Sequence, residues 1–461
     1  MKKSSLKRMF TGGMAVAMAV TMLGCGKNAD SSASNTAKSK SGTKNSSTSA
    51  KSDDAKAEKD GDGPLVIWTQ GNSIKEDAEA WGAANGVDVD VVVIPFADLQ
   101  TKLKQQITDP KTAPDVYAIT KDYVKDWVER GVNLDLSEEF PDDAKNYIDN
   151  TYKDLVALGS DDKGDLQAVT AEYPVGMMYY NREIAKNILG TDDPDEVGKA
   201  LSDVDQWPDL YEKINDAYSG KVKMFGTTQN LNKMLSNRRE KPYVKDDVFT
   251  VTKDMANIFE INKQIYDDKM FLTEKEDDAY FSGWNTDAFF ADFLPSWGYS
   301  SKFKPQVDGK EGAGKWGMTT PPYAYNRGGT YFFITKTTSH KNNAWDLVKG
   351  ISVDTQKLVD VQKGKDGFAS TKEANKILVD SGYEEPLLGN QKVFEEYQKQ
   401  AAIQEKLPTD VVTKYDGDIE SFMNDAVINY ANGSMSLDDA IKGLGTQVQS
   451  AYPELTVKYN Y

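Results

Sequence analysis

The sequence predicts an α/β fold, and two observations carry that expectation. From Pro64 onward roughly 400 residues remain, enough for two domains or one large one. Over the first part of that length, short apolar runs alternate with amphipathic runs in the order βαβαβα, which is how a largely parallel sheet is built.

The elements follow in order. Residues 64–70, PLVIWTQ, are an apolar run of strand length. Residues 76–86, EDAEAWGAANG, read as a helix closed by Gly86. Residues 87–95, VDVDVVVIP, are a β-branched strand stopped by Pro95. Residues 97–110 put Leu99, Leu103 and Ile107 on one helical face. A third strand (113–120) and a helix with Val124 and Val128 one turn apart (122–131) complete the series. The middle breaks this rhythm. Residues 165–190 begin extended and aromatic and turn helical after Asn181; 206–220 read as a helix before a strand, and 246–271 as a long helical region. Residues 289–300 look extended, 328–336 β-rich, and the remainder helical. No internal repeat is present.

The amino terminus has a different character. Lys2, Lys3, Lys7 and Arg8 precede the apolar run MAVAMAVTML, which is shorter than the about 20 residues a membrane span needs but suits a signal-peptide core. Gly24 and Cys25 follow, in a pattern that resembles a bacterial lipobox. Residues 1–24 are therefore expected to be a lipoprotein signal peptide, with Cys25 carrying lipid on the outer face of the cell membrane of a Gram-positive cell. Residues 25–63 hold no Val, Ile, Leu or aromatic residue and read as a disordered tether; a coil of that length spans roughly 35 Å.

Composition removes several functions. The net charge is −17 and no basic stripe is present, so nucleic acid is not an expected partner. One His and one Cys exclude zinc sites of the His/Cys type and Cys–His or Ser–His–Asp chemistry. His340 is expected at a helix start, in solvent. No metal and no cofactor is expected, and no phosphate-binding or metalloprotease motif occurs.

Several segments together resemble the family 1 extracellular solute-binding proteins of ABC importers, the maltose-binding-protein-like group. They are LVIWTQGN; the run from FADLQTKL to GVNLDLSE; VGMMYYNREI; DQWPDLYEKI; GGTYFFITKTTSHKNNAWDLVKGIS; and YANGSMSLDDAIKGL. The stretch FSGWNTDAFFADFLPSW departs from the family by carrying Trp284 and Asp287 where small residues are usual. The resemblance implies two α/β lobes with hinge strands between them: 64–173 plus 293–322, and 174–292 plus 323–461. It also implies crossings near 172–177, 293–297 and 322–328, a monomer, an ABC permease partner and a ligand closed between the lobes. A sugar needs flat rings for its faces and planar polar groups for its rim. Candidates at strand ends and crossings are Trp68, Gln70 and Asn72; Asp122 and Tyr123; and Glu172 and Tyr173. Further candidates are Trp284 and Asp287, Trp297 and Tyr299, and Gly329 and Tyr331. Phe96 and Asp98 follow the second strand; Asp98 and Asp122 would equally serve as helix caps. Trp127, Trp207 and Trp345 read as core, and at most one of Tyr179 and Tyr180 can face the cleft. Importer-type capture of a carbohydrate is the expected function. A secreted glycoside hydrolase is the alternative, but no carboxylate pair is singled out for it; a non-sugar ligand on the same fold is a third reading.

Overall fold

Two five-stranded sheets organise the computed structural model, which describes residues 60–237 and 241–461. The first contains β1 (Leu65–Thr69), β2 (Val89–Val93), β3 (Val116–Thr120) and β4 (Ala168–Thr170), with β12 (Thr330–Ile334) returning late in the chain. Its order is β2-β1-β3-β12-β4; β1 pairs parallel with β2 and β3, and β12 runs antiparallel to both neighbours. The second contains β5 (Gly176–Asn181), β6 (Lys223–Thr227), β9 (Phe271–Thr273), β10 (Phe289–Pro295) and β11 (Trp316–Thr319), in the order β11-β5-β10-β6-β9. A small third sheet joins β7 (Val244–Lys245), β8 (Val248–Thr252) and the terminal β13 (Thr456–Asn460).

Helices cover both faces of the large sheets, which is why their strands are almost wholly apolar. The period of two is clean in the first sheet. Leu65, Ile67, Val116, Ala118, Phe332 and Ile334 face one core with Trp345, while Trp68, Tyr117, Ile119, Tyr331 and Phe333 face the other with Trp127. In β5, Met177 and Tyr179 enter one core and Met178 and Tyr180 another, so both tyrosines are buried. Trp127, Trp207 and Trp345 are core residues, as expected.

Several expectations need correction. Residues 246–271 open with β8, whose V-F-T-V-T alternation is a strand period, and the helix begins only at Lys253. The expected return to the first lobe near 293–297 does not occur. After β10 the chain forms short helical turns, and Phe303 packs against Tyr179 and Trp284; β11 then rejoins the second sheet beside β5. The return comes with β12, and the helix Lys341–Ser352 after it packs on the first sheet, so these segments do not belong with the second lobe. His340 does precede that helix, but it is 7 % exposed, with Nδ1 3.3 Å from a carboxylate oxygen of Asp115. The helix has no cap from His340; Asp60 supplies it, accepting from the N–H groups of Asn342 (3.0 Å) and Asn343 (2.7 Å). Ordered structure therefore reaches into the end of the stretch read as a tether. The signal peptide, Cys25 and the rest of that stretch lie outside the described residues. Neither Asp98 nor Asp122 caps a helix.

Two segments, 171–175 and 320–329, connect the large sheets. They lie against one another where β5 begins: Gly176 donates to the Tyr325 carbonyl at 2.7 Å, and a Cβ on Gly176 would enter the Tyr325 ring. Gly176→Ala is expected to destabilise the protein by about 1–3 kcal/mol through overpacking, read as a lower midpoint in urea unfolding; an unchanged midpoint would mean that the Tyr325 ring moves aside freely.

Candidate functional site

The crossing segments are joined to the first lobe by one half-buried carboxylate. Asp154 sits in the first turn of the helix Lys153–Gly159 of the first lobe. It accepts from the Tyr173 hydroxyl at 2.9 and 3.0 Å and from Asn326 Nδ2 at 2.8 Å. Tyr173 belongs to one crossing segment and Asn326 to the other, and Lys121, just past β3, donates to the Asn326 carbonyl at 3.0 Å. Burial pushes the Asp154 carboxyl up, against the pull of Tyr173, Lys121 and Asn326. The end of β10 joins this knot through Ser296, whose N–H and hydroxyl donate to the carbonyls of Val175 (2.9 Å) and Tyr173 (3.0 Å).

The lobes also meet beyond the crossings. A Cβ on Gly417 would lie 2.7 Å from the Asp122 carbonyl oxygen, and Lys414 pairs with Glu129 at 3.5 Å. Two hollows share Glu129, Lys414 and Tyr415 as lining, so this ion pair stands at their border. The smaller, about 560 Å³, is walled by rings from both lobes. Phe96, directly after Pro95, and Tyr123, directly after β3, come from the first, with centroids 6.0 Å apart. Tyr415, which precedes the helix Asp416–Ala431, and Tyr452, which follows the helix Leu437–Ala451, come from the second and meet edge to face at 4.8 Å. Phe96 is 49 % exposed, an unusual state for phenylalanine. Polar groups frame the rings. Tyr452 donates to Asp418 at 2.6 Å, Arg130 pairs with Asp126 at 2.7 Å, and Gln100 Nε2 is a buried donor with no acceptor. Burial raises the Tyr123 phenol, helped by Asp418 and Asp122. The larger hollow, about 980 Å³, has a mixed polar and aliphatic wall, with Lys121, Asp154 and Asn326 in it and Tyr415 as its one aromatic ring.

Of the residues named from the sequence, Phe96 and Tyr123 line the smaller hollow, and none of the others lines either hollow. Asp122 meets the second lobe through its backbone, beneath Gly417. Tyr173 is fully buried in the knot. Trp68 is 3 % exposed, with Lys102 over its ring, and Tyr331 donates to the Leu155 carbonyl from the core. Trp284 and Tyr299 are completely buried in an aromatic cluster with Phe303, so neither presents a face to solvent. Asp287 ends the helix Asp278–Thr286 and is held by Asn181 (2.8 Å) and Lys315 (3.1 Å). Asn72 opens the helix Asn72–Asn85, and Gln70 precedes it with a buried, unpartnered Nε2. Glu172 pairs with Ala369 across a β-bridge, and burial raises its carboxyl against Lys365. Gly329, at φ +91°, accepts from the Lys121 N–H at 2.9 Å.

Trp297 stands apart, half-buried beside the crossing, its indole N–H donating to the Arg327 carbonyl at 2.8 Å. Lys302 lies 5.3 Å from its ring and bonds Glu276 at 2.5 Å. Burial and Arg327 lower the Lys302 ammonium, opposed by Glu276. The Arg327 guanidinium donates to Asn230, whose Nδ2 donates to Asp292 at 2.8 Å. Asp292 is wholly buried, and its carboxyl is pushed up to about 6.

Sequence reasoning weighed Phe96 but missed Tyr415, Tyr452, Lys121, Asp154 and Asn326. Position after a strand marks Lys121. Asn326 sits just before the paired glycines, while Asp154 reads as an ordinary helix-start acid.

The family model for bacterial extracellular solute-binding proteins matches residues 67–351. The chain belongs to that family. No curated protein matches it in sequence. Among solved structures, an extracellular solute-binding protein of family 1 superposes with a TM-score of 0.67 at 17 % identity, covering 84 % of this chain and 99 % of that one. The ABC-transporter-associated binding protein of B. animalis subsp. lactis, in complex with β-1,6-galactobiose, gives 0.64 at 18 %, covering 86 % and 99 %. The galacto-N-biose-/lacto-N-biose I-binding protein of Bifidobacterium longum, in complex with lacto-N-biose, gives 0.65 at 13 %, covering 86 % and 100 %. At these identities the likeness establishes the two-lobed α/β fold. Among the described residues no helix is long and apolar enough to cross a membrane, and no group of three His, Cys, Asp or Glu could hold a metal ion.

Asp292 offers a test of the buried network. Its folded carboxyl titrates at about 6, against an ordinary 3.8, so between those values the native state binds the proton that the unfolded chain has released. The stability that Asp292 contributes therefore falls as pH rises through that window. The melting temperature of wild type relative to Asp292→Asn is expected to drop progressively from pH 4 to pH 7; a pH-independent difference would contradict the assignment.

Proposed function

We propose that this chain is the lipid-anchored, extracellular receptor of an ABC importer. It captures an oligosaccharide between its lobes by hinge closure and presents it to the membrane permease. The observation that carries the carbohydrate reading is the smaller hollow, lined by Phe96 and Tyr123 from one lobe and by Tyr452 from the other, with Tyr415, 7 % exposed, packed against Tyr452. Flat rings fit the C–H faces of a pyranose at low conformational cost, and Gln100, Asp126, Arg130 and Asp418 supply the planar donors and acceptors that its hydroxyls need. Each wall alone is half a site, so binding favours the closed arrangement by the difference in affinity between closed and open forms. Membership of a solute-binding family supports binding without bond cleavage. The lipobox-like Met22-Leu23-Gly24-Cys25 supports the anchor. Trp297 is a secondary candidate for ligand contact, since part of its ring is open beside the crossing.

Purified protein is expected to gain thermal stability with a defined oligosaccharide, β-1,6-galactobiose and lacto-N-biose being the first probes because two structural neighbours hold them. No new reducing ends should form; their appearance would replace capture with hydrolysis. Tyr123→Ala is expected to weaken the bound sugar by about tenfold or more, roughly 1.4 kcal/mol, with little loss of fold because the ring sits at the cleft surface. In cells, Cys25→Ser is expected to move the protein from the membrane fraction to the medium; continued membrane retention would count against lipidation.

A further inference from the structure

We infer that the cleft has two compartments separated by the Lys414–Glu129 ion pair, and that it selects a ligand long enough to pass this pair and fill the larger hollow. The inference rests on the carbohydrate reading above and adds to it a length requirement and a set of residues.

Three observations converge. Lys414 from the second lobe reaches Glu129 from the first at 3.5 Å, and both residues, with Tyr415, line both hollows. The hollows therefore adjoin rather than lie on separate faces. Their walls differ in their rings. The smaller sets Phe96, Tyr123, Tyr415 and Tyr452 among charged and polar side chains, whereas the larger, with nearly twice the volume, about 980 against 560 Å³, has Tyr415 alone and mixes charged and polar side chains with aliphatic ones such as Leu155 and Leu158. A stacked sugar unit belongs in the first; units held by their hydroxyl rims belong in the second. The larger wall also contains hydrogen-bonding groups left without partners. Asn326 is 7 % exposed, and its Oδ1 accepts nothing. The amide orientation is fixed, because Nδ2 faces the Asp154 carboxylate, which only an N–H satisfies. Gln404, on another element of the same wall, has a buried Oε1 that likewise accepts nothing. Buried acceptors left unpaired are costly, and both need a donor. Both atoms are sealed in this conformation, so each meets a saccharide hydroxyl as its side chain turns into the hollow, beside the Lys121 ammonium that donates to the Asn326 carbonyl.

Asn326 adds a mechanical consequence. It sits on a crossing segment and is bonded to Asp154 of the first lobe, so a ligand donor reaching Oδ1 loads the hinge directly. A short sugar in the aromatic compartment makes no such contact. Length is thereby read as hinge stabilisation as well as contact area.

The test is a calorimetric titration of full-length protein with β-1,6-linked galacto-oligosaccharides and malto-oligosaccharides, from disaccharide to hexasaccharide, in wild type, Gln404→Leu and Asn326→Leu. Wild type is expected to bind the longer members of one series at least about tenfold more tightly than its disaccharide. In both variants that ratio should shrink by about threefold or more. Gln404→Leu keeps the experiment decisive if loss of the Asn326 bond to Asp154 loosens the fold. Equal affinity for all lengths, or a length gain that survives intact in both variants, would overturn the two-compartment inference while leaving carbohydrate capture standing. Failure of wild type to bind any member would overturn the carbohydrate reading and this inference with it.

Discussion

Asp154 is the constraint on which the rest of the molecule depends. Two separate segments carry the chain between the sheets, and their backbones pair through the Val175–Asn326 bridge and the Arg327 N–H bond to the Pro174 carbonyl at 3.1 Å. One carboxylate ties that pair to the first lobe by accepting from Tyr173 on the first segment and Asn326 on the second. Hydrogen bonds to a charged group are worth about 1.5–3 kcal/mol each, and removing the acceptor would strand two buried donors. Lys121 ties the end of β3 to the same point, so the loop that carries Asp122 and Tyr123 into the cleft inherits its position from the knot. Burial raises the Asp154 carboxyl, and Tyr173, Lys121 and Asn326 oppose that rise.

A second principle places the cleft. In parallel sheets the carboxyl ends of strands open toward loops and ligands. Phe96 and Tyr123 stand just past β2 and β3, while the facing rings come from the ends of two carboxyl-terminal helices. The chain therefore assembles one wall from early sequence and the other from its last fifty or so residues. The wall pieces are held by unequal means. Tyr117 and Trp127 anchor the first from within the core, whereas Tyr452 is steadied at the surface by its bond to Asp418.

Much of the fold was legible because its signals are local. The strands β1 to β3 and their helices are marked by period, by Gly86 and by Pro95, and the buried indoles of Trp127, Trp207 and Trp345 by helical spacing. The β8 strand was equally marked but was absorbed into the helix that follows it. The route of residues 293–322 was not legible, because it is decided by packing of Phe303, Trp284 and Tyr179 across long separations. The site was harder still. An aromatic residue after a strand can face core or cleft, and Trp284 and Tyr299 went to the core while Phe96 did not. Tyr415 and Tyr452 become site residues only when helices far along the chain fold back on the first lobe. The lone histidine shows the same limit: its helix-start position was readable, but its burial against Asp115, which is supplied by β3's approach, was not.

In the proposed function the two lobes, hinged at the Asp154 knot, close on a sugar. Pulsed electron resonance between spin labels at Lys111 and Lys213, in a Cys25→Ser background, measures it most directly. A broad distance distribution is expected without ligand and a narrower, shifted one at saturating oligosaccharide. A distribution identical in both conditions, with binding confirmed in the same sample, would contradict it.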